Sequence, residues 1–239
     1  MLANSPEPSP QSGKLSDDLH KPATFLHEVL DFIAIELPQW RDRADRKTES
    51  AETLLSSGLC AHLNGAARNS IGFDILQFRV EEPDEQNRGR RIDLVPAPCG
   101  VEIVVEGRRH TDFDALLPIE CKRLPTPTEN NRDEREYVFS QNSTTGGIQR
   151  FKAGHHGAVH SFGAMIGYIQ AESPAVWHQR IGEWIGGLAS SGEPGWSQED
   201  ALELDSTDQT RRLTVLRSNH ERGANSPKIE LRHLWLEMN

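Results

Sequence analysis

Apolar residues recur every three or four positions in several segments of the chain, and this period predicts helices with one buried face. Two adjacent glycines precede one of these segments and favour a turn before it. The predicted helices are 22–40, about 50–68 with Thr48 as N-cap, a short one through Ile148 and Phe151, and 173–188.

Alternating or unbroken apolar runs bounded by glycine, proline and polar turns predict strands between these helices. The strands expected are 73–80, 91–95, 101–105, the segment around Glu120, 162–169, 212–220 and 228–236. Helices interspersed with strands predict a mixed α/β fold, with a central mixed β-sheet flanked by α-helices. The last two strands are joined by a Gly-Ala-Asn-Ser-Pro turn, so we expect a C-terminal β-hairpin.

The length and composition indicate one domain with a polar tail. Residues 1–20 are rich in proline, serine and acidic side chains and show no apolar period, which predicts a disordered N-terminal tail before a single domain over 21–239. No segment reads as a signal peptide or reaches the roughly 18 apolar residues of a membrane span. Cys60, Cys99 and Cys121 lack metal-binding spacing and are expected to be reduced thiols, so we expect a soluble, cytoplasmic protein.

The charge distribution limits where a polyanion would bind. The formal net charge is −10, which opposes nucleic-acid binding over most of the surface. Residues 86–160 are the exception, because they contain eleven basic and ten acidic residues. We therefore expect any nucleic-acid contact in this central third, with weak binding or help from a partner subunit.

The candidate chemistry lies on two predicted strands of this central third. Side chains alternate along a strand, so Glu120 and Lys122 point to one face while Ile119 and Cys121 enter the core. Asp93 lies on the preceding Arg-Ile-Asp-Leu-Val strand. Charged groups near buried surface need an opposite charge or a metal ion, and paired carboxylates suit a hard divalent cation. These residues therefore suggest metal-assisted phosphodiester hydrolysis.

The order of elements carries a family resemblance. A helix, a strand, a strand with Asp93, a strand with Glu120-x-Lys122, a helix and a strand follow one another over about 49–170. This order resembles the PD-(D/E)XK nuclease superfamily, also called the restriction-endonuclease-like fold. Ile92 stands where the strict motif has proline. The phrases at 119–124 and 146–151 resemble those of nuclease subunits in prokaryotic defence loci.

The resemblance implies a function and a set of site residues. It implies Mg²⁺-dependent (or Mn²⁺-dependent) cleavage of DNA, in defence or restriction, with Asp93, Glu120 and the backbone carbonyl of Cys121 as metal ligands. Lys122 would orient or deprotonate the attacking water. A lysine of normal pKa, about 10.4, is a poor base at neutral pH, so Lys122 acts as an electrostatic clamp unless its surroundings lower that pKa.

Supporting residues are expected on the two neighbouring helices. Glu52 lies at the edge of the apolar stripe of the second helix and is the candidate helix acid, with Glu49 as the substitute. The alternative interpretation of Glu52 is a plain surface carboxylate. Gln149 and Arg150 follow the two glycines and are candidates for holding the scissile strand. An ion pair between Arg150 and Glu134 or Glu136 is the alternative.

Other interpretations stay open at this point. His155, His156 and His160 could suggest zinc, but no further ligand follows in register, which favours a polar or phosphate-contacting helix end. A non-catalytic subunit of the same fold, binding nucleic acid or assembling with an ATPase or second nuclease, is the main alternative. Action on RNA is a weaker one, and a homo-oligomer is compatible with the sequence.

Overall fold

The computed structural model describes residues 24–239 except 49–50, 86, 128–131, 142 and 224–225. The tail predicted at 1–20 and the substitute acid Glu49 lie outside these residues. The helices are α1 (Thr24–Arg41), α2 (Glu52–Arg68), α3 (Gly147–Lys152) and α4 (Pro174–Ser190). The strands are β1 (Leu76–Pro83), β2 (Arg91–Pro98), β3 (Ile103–Val105), β4 (Arg108–His110), β5 (Ile119–Leu124), β6 (Phe162–Ile169), β7 (Glu203–Asp208), β8 (Leu213–His220) and β9 (Ile229–Glu237).

Seven of the strands form one mixed sheet in the order β1-β2-β5-β6-β9-β8-β7. The central strands β5, β6 and β9 run parallel, and the other neighbours are antiparallel. Residues of α1 and α2 share one apolar core with one face of the sheet, and residues of α3 and α4 share a second core with the other face. The predicted mixed α/β architecture with helices on both faces is therefore confirmed.

The C-terminal hairpin is not an appendage, because β9 pairs with β6 along eight residues and makes the central sheet continuous. Helix α4, which precedes the hairpin in the sequence, follows the prediction closely. Ser173 caps α4 by accepting a hydrogen bond from the Val176 amide, and the buried stripe of α4 contains Trp177, Ile181, Ile185 and Leu188. None of the helices in the described part of the chain is long and apolar enough for a membrane span.

Several boundaries differ from the sequence prediction. The N-cap of α2 is Ala51 rather than Thr48. The segment expected as one strand at 101–105 forms a separate two-stranded hairpin, β3 with β4. Pro96 and Pro98 lie inside β2, not after it. They are tolerated because β2 pairs with β5 at a single position, so its far end needs no amide donors on that side.

Candidate active site

The site begins where two neighbouring strands separate. The antiparallel pairing of β2 with β5 has one register pair, Leu94 with Ile119. Beyond it, the backbone amide of Cys121 donates to Asp93 Oδ2 at 2.8 Å. A buried amide needs an acceptor, and here a carboxylate supplies it. The separation of the strands therefore holds Asp93 beside β5, as the sequence predicted.

Glu120 and Lys122 emerge together from β5 on the face opposite Cys121. Both are buried, with exposures of 0% and 4%. Lys122 Nζ lies 2.8 Å from Glu120 Oε1 and 3.9 Å from Asp93 Oδ2. The thiol of Cys121 lies in the core on the other face, where Tyr168 Oη donates to its sulfur. The period-two alternation thus separates the charged cluster from the apolar core.

Glu52, the first residue of α2, joins the same cluster. Its Oε1 lies 3.3 Å from Lys122 Nζ, and its Oε2 accepts a hydrogen bond from the Arg123 amide at 3.2 Å. Arg132 Nη2 lies 3.9 Å from the same carboxylate. Glu52 is therefore not a plain surface glutamate. Its position brings the N-terminus of α2 to the charged end of β5.

Arg150 reaches the cluster from α3. Its guanidinium forms a hydrogen-bonded ion pair with Glu120 Oε1. The alternative ion pair of Arg150 with Glu136 does not form, because Arg132 Nε donates a hydrogen bond to Glu136 Oε2 at 2.6 Å. Arg150 thus remains a site residue, and it contacts the predicted metal-binding carboxylate rather than solvent alone.

Gln149 does not join this group. Its Oε1 accepts hydrogen bonds from the Ser140 and Gly146 amides, so the side chain closes the loop before α3. The amides of Gly147, Ile148 and Gln149 donate to the backbone carbonyls of residues 136–138. These amides are therefore committed within the protein. The phosphate-receiving role that the sequence suggested for the start of α3 is not supported by the contacts seen.

Close packing, rather than phosphate binding, explains why two glycines precede α3. A Cβ added at Gly146 would lie 2.5 Å from Phe139 Cα, and one added at Gly147 would lie 2.8 Å from the Tyr137 carbonyl oxygen. Only glycine lets the segment 136–139 approach α3 this closely. This close approach fixes the start of α3 and so helps to place Arg150 against Glu120.

His156 is a site residue that sequence reasoning missed. It is 1% exposed, and its Nδ1 lies 3.0 Å from Glu120 Oε2, although the two atoms are not aligned as a hydrogen bond. Gly154 and Gly157, with φ of +65° and +60°, turn the chain on either side of it. The three histidines do not converge, since His160 Nε2 faces Glu85 Oε1 at 3.5 Å. The two glycines bracketing the His-His pair were the available signal.

The electrostatics of the cluster follow from these contacts. Burial alone would raise the pKa of Glu120, but Lys122, His156 and Arg150 together hold it well below its usual range. Burial would lower the pKa of Lys122, yet Glu120, Asp93 and Glu52 raise it well above normal. Burial and the charge of Glu120 raise the pKa of Asp93 to about 8. Lys122 is therefore an ammonium group that clamps charge, not a base of lowered pKa.

No protein-family model, curated protein or solved structure matches this chain significantly. A function has to be inferred from the side chains themselves. Within the described part of the chain, no three His, Cys, Asp or Glu side chains are arranged to hold a metal ion. Both oxygens of Glu120 face cationic or imidazole groups instead.

Proposed function

We propose that the chain is a divalent-metal-dependent nuclease that hydrolyses phosphodiester bonds of DNA. The observation that carries the proposal is the set of contacts around Lys122 Nζ, which lies within 4 Å of Glu52, Asp93 and Glu120. Three carboxylates and an amine from α2, β2 and β5 meet at one place. The element order α2, β1, β2, β5, α3, β6 also supports the restriction-endonuclease-like fold.

The donor set suits a hard cation with few protein ligands. Mg²⁺ is commonly bound through one or two carboxylates, while water and substrate phosphate fill its other positions. Asp93 and Glu120 would hold the ion, with the carbonyl of Cys121 as the family resemblance implies. Glu120 Oε2 is buried and makes no aligned hydrogen bond among the described residues, so it is the oxygen that would bind the cation once His156 Nδ1, 3.0 Å away, turns aside. When bound, the cation would neutralise charge at the phosphate and activate water.

The remaining residues have roles that follow from their charge and position. Lys122, held as an ammonium, neutralises a phosphate oxygen and fixes the direction of the Glu120 carboxylate. Glu52 accepts a second hydrogen bond from Lys122 and so helps to orient it, and it ties the Arg123 amide to α2. Arg150 is 21% exposed in its side chain and can turn from Glu120 to a phosphate, which it would bind through two donors.

Plasmid cleavage tests the proposal. Wild-type protein with Mg²⁺ or Mn²⁺ should convert supercoiled DNA to nicked or linear forms, and Glu120→Ala and Lys122→Ala should each lose this activity. Lys228→Ala is the control, since Lys228 is an exposed lysine paired with Glu221. Circular dichroism establishes that each variant is folded. Wild-type rates in both folded site variants would refute the proposal, and an RNA substrate in the same assay decides between DNA and RNA.

A non-catalytic role is the second candidate, and the saturation of Glu120 by Lys122, Arg150 and His156 favours it. A carboxylate already neutralised has less to gain from a metal ion. In that case the protein would bind nucleic acid or assemble with a catalytic partner such as an ATPase or second nuclease. Calorimetric titration with Mn²⁺ separates the candidates, because a catalytic site takes up the ion and Asp93→Asn abolishes that uptake.

A further inference from the structure

The turn between β1 and β2 presents three arginines beside the charged cluster. Arg88 and Arg91 are exposed and Arg90 is half-buried. Among the ion pairs of the described residues, none involves these three side chains, although Arg91 Nη1 donates to the Glu81 carbonyl. Most arginines elsewhere on the described surface contact a carboxylate, so an unpaired group of three is unusual for this acidic protein.

Three acidic residues of the same segment are engaged by other groups, and Glu81 is exposed with no ion pair among the described residues. Glu82 pairs with Arg79 at 3.0 Å, and Glu85 pairs with Arg108 at 2.8 Å. Asp84 is 2% exposed and accepts a hydrogen bond from the Asn87 amide. None of these carboxylates forms an ion pair with Arg88, Arg90 or Arg91 in the described part of the chain.

Hydrogen bonds among the described residues of the turn also brace it. The Asp84 amide donates to the Arg90 carbonyl, and the Arg90 amide donates to the Asn87 carbonyl. The Asn87 side chain accepts from the Gly89 amide at 2.9 Å. These hydrogen bonds restrain the backbone that carries Arg88, Arg90 and Arg91, which reduces the cost of ordering it on binding.

Two observations place the turn near the charged cluster. Arg91 and Asp93 lie two residues apart on β2, so they point to the same face of the sheet, with their Cα atoms about 7 Å apart. On the other side, Arg90 lies near His155, whose pKa is lowered by burial and next by the charge of Arg90. His155 directly precedes His156, which faces Glu120.

We propose that the β1–β2 turn, through Arg88, Arg90 and Arg91, binds the phosphate backbone of duplex DNA and leads it to the cluster at Asp93 and Glu120. The inference rests on the proposed function. Side-chain cations on a hydrogen-bonded turn suit a regularly charged polyanion, and phosphate contacts position a duplex without reading its sequence. Binding should therefore be strongly salt-dependent and nearly independent of base sequence.

The salt dependence of binding tests this surface. Fluorescence anisotropy of a short labelled duplex, in EDTA to prevent cleavage, gives the slope of log K against log salt concentration. Replacing Arg88, Arg90 and Arg91 by alanine should reduce the magnitude of that slope by about 2.7, from three phosphate contacts at about 0.9 each. Two duplexes of different sequence should be affected equally.

A charge-matched control keeps the test specific. Arg43, Arg180 and Arg217 each pair with a carboxylate, so their triple alanine variant removes the same net charge without removing an unpaired cation. Its slope should stay near that of the wild type. An unchanged slope in the turn variant, an equal change in the control, or no measurable wild-type binding would each overturn the inference. Plasmid cleavage, measured separately, decides the proposed function.

Discussion

Asp93 Oδ2 accepts a hydrogen bond from the backbone amide of Cys121, at the point where β2 and β5 separate. Asparagine at position 93 keeps an acceptor for this amide, whereas alanine removes it. We expect Asp93→Ala to lower the free energy of unfolding by about 1–3 kcal/mol relative to Asp93→Asn, the cost of an unsatisfied buried donor. Urea denaturation measures the difference, and equal stability of the two variants would contradict the structural role of Asp93.

Removal of either Glu120 or Lys122 should destabilise the fold. Glu120→Gln leaves Arg150 without its carboxylate and Lys122 with Glu52 and Asp93 alone, and breaking a buried ion pair from one side costs about 3–5 kcal/mol. Lys122→Met leaves Glu120 paired with Arg150 but removes the ammonium group that lies within 4 Å of Asp93 and Glu52, so its effect should be of similar size. The double variant should be less destabilised than the sum of the two single variants.

Chemical denaturation of the single and double variants measures this coupling. Glu203→Gln is the control, since Glu203 forms an exposed pair with Arg217 and its loss should change the stability little or not at all. Strictly additive effects of the Glu120 and Lys122 substitutions would show that the two side chains do not interact in solution.

His156 should act on metal binding through Glu120 rather than by touching the substrate. Its Nδ1 lies 3.0 Å from Glu120 Oε2, so it restrains the carboxylate that we propose as a ligand. Replacing groups that orient a metal ligand commonly reduces metal affinity or activity by about 10–100-fold. We expect His156→Ala to raise the Mn²⁺ concentration for half-maximal cleavage, with partial recovery in His156→Gln.

His178→Ala is the matched control for this experiment, because His178 bonds to the Leu202 carbonyl and not to the cluster. Its metal requirement should equal that of the wild type. A His156→Ala protein that is folded and has an unchanged Mn²⁺ requirement would rule out the positioning role.

The sequence predicted the main strands and the charged cluster because both depend on local patterns. The unbroken apolar run at β6 gave its observed bounds, and period-two alternation placed Glu120 and Lys122 on one face. Strand β7 was missed because its six residues are all exposed and leave no apolar pattern. His156 was missed because its direction depends on the left-handed turns at Gly154 and Gly157, which its own side chain does not reveal.

The glycine pair before α3 shows the limit of motif reasoning. Two glycines before a helix suggest a phosphate-binding turn, but they also permit close backbone packing. The contacts that decide between these are backbone ones, since a Cβ at Gly146 would lie 2.5 Å from Phe139 Cα and one at Gly147 would lie 2.8 Å from the Tyr137 carbonyl oxygen. Only the folded chain supplies that information.

A buried polar network that is separate from the charged cluster determines how the stability of the folded state changes at low pH. Hydrogen bonds of 2.7–2.8 Å run from Trp235 through Tyr137, His233, Ser218 and His220 to Asp200. The indole at one end only donates and the carboxylate at the other only accepts, so every bond points the same way. This direction requires both imidazoles to be neutral, with the proton of His220 on Nδ1 and that of His233 on Nε2.

Protonation of either histidine reverses one of these bonds, so acid should destabilise the folded state. Burial lowers the pKa of His220 and lowers that of His233 well below its usual value. The unfolded chain then binds protons first, below about pH 6.5, and the stability present above that pH is lost as the pH falls. Urea denaturation at about pH 7.5 and about pH 5 should show this loss. Ser218→Ala should lower the stability by about 1–3 kcal/mol at the higher pH, because it leaves buried imidazole nitrogens unpaired. Nitrogen NMR spectra showing protonated His220 or His233 in the native protein at pH 5 would contradict this account.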